Sequence, residues 1–209
     1  ICKELQKDDI TPNRSRTYVY NTLKMMENEG WIWYKERGRK KIFYLSEQGQ
    51  TLLNKYKEKY LPTLCNLLLA TRHMQEMITN KQLQPFPHHI EDKHYLSKIL
   101  NVKTLTQWYV LHRLHIDGDV HGGKLFREMD TWFGWNISHG YFYQVLREMS
   151  NSGWINGQWT NEETRAQKEY QLNEDGMNHF HKTSDKAISH LSSVHQFLRS
   201  MIETVNHAS

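Results

Sequence analysis

The chain has 209 residues, 38% hydrophobic and 24% charged, with 27 Lys and Arg against 23 Asp and Glu for a net charge of +4. This composition excludes a disordered polyelectrolyte and allows one large domain or two small ones. No apolar run approaches the roughly 20 residues of a membrane span, no secretory segment opens the chain, and two cysteines cannot make a disulfide framework, so a cytoplasmic setting without a membrane is expected.

The chain opens on Ile1 rather than methionine. Cys2 to Lys7 reads as the end of a helix, and the helix before it is expected upstream of Ile1. From Asn13 to Glu29, Val19, Leu23 and Met26 fall at helical spacing, with Ser15 as N-cap and Gly30 just past the end, where positive φ is needed. Trp31 to Tyr34 reads as a strand, Arg37-Gly-Arg39 as a turn and Lys41 to Leu45 as the returning strand. Ser46, Glu47 and Gly49 open a helix expected to reach Tyr60, break near Pro62 and resume with Leu64, Leu67, Leu68, Met74 and Ile78. Lys81 to Lys93, with Pro85 and Pro87, reads as a linker.

The second half begins with a helix from Thr104 to His115 that turns Leu105, Trp108, Leu111 and Leu114 inward. Asp117-Gly118-Asp119 is a turn. His121 to Trp132 carries Leu125, Phe126 and Met129 as a second helix, and Gly134 to Ile137 is the turn before a third, which starts at Ser138. The tail keeps a heptad rhythm through Met177, Phe180, Ser184, Ala187, Leu191, Val194, Leu198, Met201 and Val205, with the stronger apolar positions after Leu191.

The two halves are related. At an offset of 123, ten of the 22 positions from Asn13 to Tyr34 are identical to those from Asn136 to Gly157. The matches include Ser15/Ser138, Tyr20/Tyr143, Leu23/Leu146, Met26/Met149, Gly30/Gly153 and Trp31/Trp154. At an offset of 127, Lys41/Lys168, Leu45/Leu172, Glu47/Glu174 and Gly49/Gly176 correspond. A helix, a two-stranded hairpin and a helix form the second half of a winged helix-turn-helix, and the second copy supplies the front half as well. The expected fold is therefore mainly α with small β-hairpin wings: a winged helix over 1–60 lacking its N-terminal helix, a connecting helix and linker over 61–94, a winged helix over 95–176, and a dimerisation helix over 177–209.

The run Val110-Leu-His-Arg-Leu-His-Ile-Asp-Gly118, then His121-Gly122, Ser138, Tyr143, Leu146, Met149, Gly153-Trp154-Ile155 and Leu172 to Gly176, resembles the PadR family of bacterial transcriptional regulators. The first copy is similar through Tyr20, Leu23, Met26, Gly30, Trp31, Ile32, Leu45 and Gly49. Asn21 and Gln144 stand where the family has proline, and Gly123 where it has tyrosine. The resemblance implies a DNA-binding regulator, expected here to be a repressor.

Charge separates the copies. Residues 1–60 carry 13 cations against 8 acids, a net +5, whereas residues 101–176 carry 7 against 10, a net −3. Affinity for duplex DNA comes largely from neutralised phosphates, so the first copy is the stronger candidate. Asn13, Arg14, Ser15, Arg16 and Thr17 at the start of its recognition helix would face the major groove, followed by Tyr18, Tyr20, Asn21 and Lys24. Lys35, Arg37, Arg39, Lys40 and Lys41 crowd the wing. In the second copy Ser138, His139, Tyr141, Gln144, Arg147, Arg165 and Lys168 are candidates, opposed by Glu162, Glu163 and Glu169.

Leu191, Val194, Leu198, Met201 and Val205 are expected to pair with another helix, as a homodimer or by folding back on the helix around Leu64 to Ile78. The seven tryptophans leave room for a small apolar effector that the residues do not locate. No nucleophile, phosphate-loop or dinucleotide motif marks an enzyme, and the cysteines and histidines lack zinc spacing, so neither cofactor nor metal is expected. Alternatives are a plasmid or phage replication initiator with tandem winged helices and a winged-helix protein-interaction module.

Overall fold

A computed structural model describes residues 15–87, 95–133, 137–160 and 167–207. The elements in chain order are α1 (Arg16–Asn28), β1 (Ile32–Arg37), β2 (Lys40–Leu45), α2 (Glu47–Asn80), α3 (Leu96–Ile99), α4 (Val102–Asp117), β3 (Val120–His121), α5 (Gly122–Phe133), α6 (His139–Asn151), β4 (Ile155–Trp159), β5 (Lys168–Leu172) and α7 (Glu174–His207). The helix expected at Cys2 to Lys7 and the turn at 134–136 lie outside the described residues. The chain divides into two units, residues 1–65 with 196–209, and residues 66–195.

In the first unit, the Ser15 hydroxyl accepts the Tyr18 amide at 3.2 Å and caps α1, satisfying one amide that the helix start leaves free. Gly30, at φ +71°, ends the helix, and the Trp31 amide returns to the Met26 carbonyl at 2.9 Å. β1 and β2 pair antiparallel from Ile32↔Leu45 to Arg37↔Lys40 around a turn whose Gly38 has φ +64°. On the face of this hairpin, Trp33 stacks on Tyr44 at 4.7 Å, and the Trp33 indole donates to the Leu45 carbonyl at 3.2 Å.

In the second unit the same junction recurs. The Ser138 hydroxyl caps α6 by accepting the Tyr141 amide at 3.2 Å, Gly153 has φ +72°, and the Trp154 amide reaches the Met149 carbonyl at 3.0 Å. Ser46 and Asn173 then play the same part. The Ser46 hydroxyl donates to the Gly30 carbonyl and accepts the Gly49 amide, while the Asn173 side chain donates to the Gly153 carbonyl and accepts the Gly176 amide. The second unit adds what the described first unit lacks. α4 and α5 pack with α6, and Leu105, Trp108, Leu111, Leu125, Leu146 and Met149 are at most marginally exposed. Leu23 and Met26, the counterparts of Leu146 and Met149, are only half-buried.

Several expectations are corrected. α2 continues through Pro62 without a break. A proline removes one backbone hydrogen bond, and here the rest of the helix stays continuous on both sides of it. The second unit has a three-stranded sheet, order β3-β5-β4, rather than a bare hairpin, because Val120 and His121 pair with Tyr170 and Glu169. The tail seam is buried from Leu191 through Leu198 and also at its weaker N-terminal positions. Phe180, Ser184 and Ala187 are buried, whereas Met201 is 36% exposed. Inside the second unit α7 runs back along α2, with Thr71 hydrogen-bonded to His195 at 3.3 Å and Gln75 donating to Ser192 at 3.0 Å.

Histidines tie this unit together in forms that acid opposes. The Asn101 amide, at the start of α4, donates to His190 Nε2 at 2.8 Å, so that nitrogen must be unprotonated. His112 bonds the Lys81 carbonyl at 3.0 Å, and its Nδ1 is buried without a partner. Burial pushes both imidazoles below their usual pKa of 6.5, against smaller opposing pulls from the Ile99 and Lys81 carbonyls respectively. The folded pKa is depressed, so this contribution to stability is complete above about pH 6.5 and is lost as pH falls through the folded values. The thermal midpoint should therefore drop between about pH 7.5 and 5.5. A midpoint unchanged across that window would contradict the assignment.

Candidate nucleic-acid interface

α1 presents Ser15, Arg16, Thr17, Tyr18, Tyr20, Asn21 and Lys24 to solvent. This follows from the helix period: Val19 is buried and the positions around it turn away. The wing exposes Lys35, Arg37, Arg39, Lys40 and Lys41. The antiparallel register sets Arg37 opposite Lys40 at the tip, so cations concentrate there. Among the described residues none of these cations makes an ion pair with a carboxylate. Aromatic rings face two of them instead. Lys41 Nζ sits 3.6 Å from the Tyr34 ring centroid and Lys35 Nζ 5.3 Å from that of Trp33. The Tyr34 hydroxyl, more than the carboxylates of Glu27 and Glu36, holds the Lys41 ammonium above its usual pKa, so it stays charged. A groove of about 800 Å³ between α1 and the wing is lined by Tyr20, Lys24, Glu27, Arg39, Lys40, Lys41 and Phe43, among others. Asn13 and Arg14 lie outside the described residues.

The corresponding surface of the second unit differs. Ser138, His139, Gln144 and Arg147 are exposed, and Tyr141 and Lys168 are half-buried. His139 packs against Tyr143, with ring centroids 4.4 Å apart, and against Phe126 at 5.2 Å. Gln144 donates to Glu148 at 3.0 Å, and Glu148 in turn pairs with Lys103 at 2.6 Å. The Lys103 ammonium, chiefly, holds that carboxyl below its usual range. Gln144 is therefore engaged by a carboxylate that Lys103 neutralises. Arg165 lies outside the described residues. A groove of about 580 Å³ between α6 and the sheet brings Arg147 and Lys168 together with His121, Tyr143, Trp159 and Tyr170. Those last four were not among the expected site residues. The alignment of the copies held a signal for them, since Gly157 stands where the first copy has Tyr34.

Part of the second unit is similar to a known family. Residues 110–182 match the Transcriptional regulator PadR-like family. This PadR-like match runs from within α4 to the first turns of α7. A crystal structure from Thermoplasma acidophilum, named a "putative transcriptional regulator", aligns at 20% identity over 51% of this chain and 94% of its own, with a TM-score of 0.36. No curated protein matches the chain.

Of the expected dimer residues, Leu191, Val194 and Leu198 are at most 2% exposed in the single chain, while Val205 is half-buried and Met201 faces solvent. Trp108 and Phe133 are fully buried and pack edge to face at 6.3 Å. Among the described residues no three His, Cys, Asp or Glu side chains gather to hold a metal ion, and no helix is long and apolar enough to cross a membrane.

Proposed function

We propose that the protein is a transcriptional regulator, a repressor, that binds double-stranded DNA in a sequence-specific manner, with the start of α1 in the major groove and the first wing on the phosphates. The observation that carries this reading is the set of five exposed wing cations without carboxylate partners, beside Arg16 on the adjoining helix. The match of residues 110–182 to a family of regulators supports it. Ser15, Thr17, Tyr18 and Tyr20 carry hydroxyls suited to phosphate oxygens, Lys24 carries a charge, and Arg16 and Asn21 suit guanine and adenine edges. In the second copy Ser138, His139, Tyr141, Gln144, Arg147, Arg165 and Lys168 form the weaker half, since residues 101–176 carry a net −3.

Arg16 gives the test of sequence reading. If it contacts a base, Arg16→Ala costs roughly 1–3 kcal/mol on the preferred duplex and relaxes preference at one position. Competition binding against single-base variants measures this. An equal loss on every duplex would make Arg16 a phosphate contact and move the reading to other residues of α1.

The two copies in one chain stand in for the paired subunits of ordinary regulators, and the target is an asymmetric site with one strongly held half. The return of α7 along α2 inside the second unit supports this, because Leu191 and Val194 are already covered there. Sedimentation at micromolar concentration should then give a mass near 25.1 kDa. A mass near twice that would favour two chains joined through the ends that carry Met201 and Val205.

A further inference from the structure

The groove of the second unit differs chemically from its counterpart in the first. In the first copy Lys41 lies over the Tyr34 ring, and Glu27 lines the groove. In the second, Gly157 replaces Tyr34, Ser150 replaces Glu27 and Tyr170 replaces Phe43. The Lys168 stem therefore crosses β4 where a side chain would stand: a Cβ on Gly157 would lie 2.5 Å from Lys168 Cε and 3.0 Å from the Tyr170 ring. Lys168 Nζ ends 5.6 Å from the ring centroids of both Trp159 and Tyr170. Arg147 comes from α6 on the other wall.

Among the described residues no carboxylate lines this groove, and neither Arg147 nor Lys168 has an acidic partner. His121 Nδ1 accepts the Gly123 amide at 3.0 Å, so the neutral ring carries its hydrogen on Nε2, which is buried without a partner. A buried donor lacking an acceptor is what an anionic ligand can satisfy. Burial, mainly, raises the Tyr170 hydroxyl above its usual pKa and keeps it a donor. Two fixed cations, protonated donors and an indole wall suit an anion attached to a flat body, and about 580 Å³ exceeds the needs of a bare anion.

We propose that this groove binds a small phosphate ester of nucleotide size, with Arg147 and Lys168 on the phosphate and Trp159 and Tyr143 against the organic body. A DNA backbone phosphate offers the same chemistry. The free ester is favoured because residues 101–176 carry a net −3, which repels a long polyanion over its whole length, whereas a small ester meets only the cations of the groove at close range.

Calorimetric titration of the whole chain with adenosine 5′-monophosphate, ribose 5-phosphate, inorganic phosphate and adenosine tests this, alongside duplex DNA. The two esters should bind saturably and adenosine should not. Lys168→Ala should weaken the esters by at least about tenfold. Gly157→Tyr, which restores the residue of the first copy, should abolish their binding. Duplex binding is led by the first wing, so Gly157→Tyr, which alters none of the proposed DNA contacts, should change it by less than about twofold, and Lys168→Ala should lower duplex affinity by a much smaller factor than ester affinity. Lys168 is a half-buried side chain at the groove, so its variant keeps the fold if Gly157→Tyr does not. Absence of ester binding at millimolar concentration would overturn the proposal. So would ester binding that Lys168→Ala leaves unchanged. Loss of duplex binding alone would make the groove a DNA backbone contact and overturn it as well. Salt-dependent duplex binding by the first wing is read in the same titrations, so its failure is separable from failure of the groove.

Discussion

Replacing Arg37, Arg39, Lys40 and Lys41 together with alanine should weaken binding to every duplex and flatten its dependence on salt. Each neutralised phosphate releases condensed counterions and contributes about 0.9 to the slope of log affinity against log salt. Four lost contacts should lower that slope by about 3.6, which removes roughly 100-fold of salt sensitivity between about 50 and 200 mM. The effect is uniform across sequences because phosphates carry no base identity. The hairpin itself should survive. Its Trp33–Tyr44 stack and the Trp33 indole bond to Leu45 involve none of the four residues. Salt titration of a labelled duplex, with unfolding curves as the control, measures both. An unchanged slope would take the wing out of the interface and leave the net +5 of residues 1–60 without that role.

The largest stability effect is expected at Gly176, in the first turn of α7. A Cβ at Gly176 would fall well inside contact distance of the Trp154 carbonyl oxygen and 2.7 Å from Leu172 Cδ1. The obstacle is backbone, so it cannot rotate away, and the first turn of α7 would have to lift from the strand. That lift also strains the Asn173 side-chain bonds to the Gly153 carbonyl and the Gly176 amide. Gly176→Ala should cost about 3 kcal/mol, at the upper end for overpacking. Gly140→Ala is the control. Nothing lies within 4 Å of its Cβ, and in α6 alanine should be neutral or stabilising by up to about 1 kcal/mol. Denaturant unfolding of both variants decides the matter. Equal stability of Gly176→Ala and the parent would mean that the helix start yields without cost. Gly49 meets the Trp31 carbonyl in the same way, so Gly49→Ala should disturb the first unit similarly.

These glycines show how much of the molecule is legible in one sequence. The pairs Gly30/Gly153 and Gly49/Gly176 are visible in the alignment of the two copies, and each serves a local need: positive φ after a helix, or close approach of a helix start to a carbonyl. The caps at Ser15 and Ser138 and the hairpin register are local in the same sense, as is the crowding of cations at the wing tip. Hydrogen-bond geometry and charge over a few residues decide them, and those are written in the order of the chain.

What covers an apolar face is not written there. Heptad spacing marks Phe180, Leu191 and Val194 as one stripe, but only the return of α7 along α2 shows that the chain fills this stripe itself and leaves Met201 exposed. Leu23 and Leu146 are the same residue at the same repeat position, yet one is half-buried and the other fully enclosed. The pairing of Val120 with Tyr170 spans fifty residues and has no periodic signal to announce it. The groove at Lys168 likewise depends on Gly157, a strand away. Periodicity tells which side of an element avoids water; burial is settled by partners distant in sequence, and their approach belongs to the tertiary structure alone.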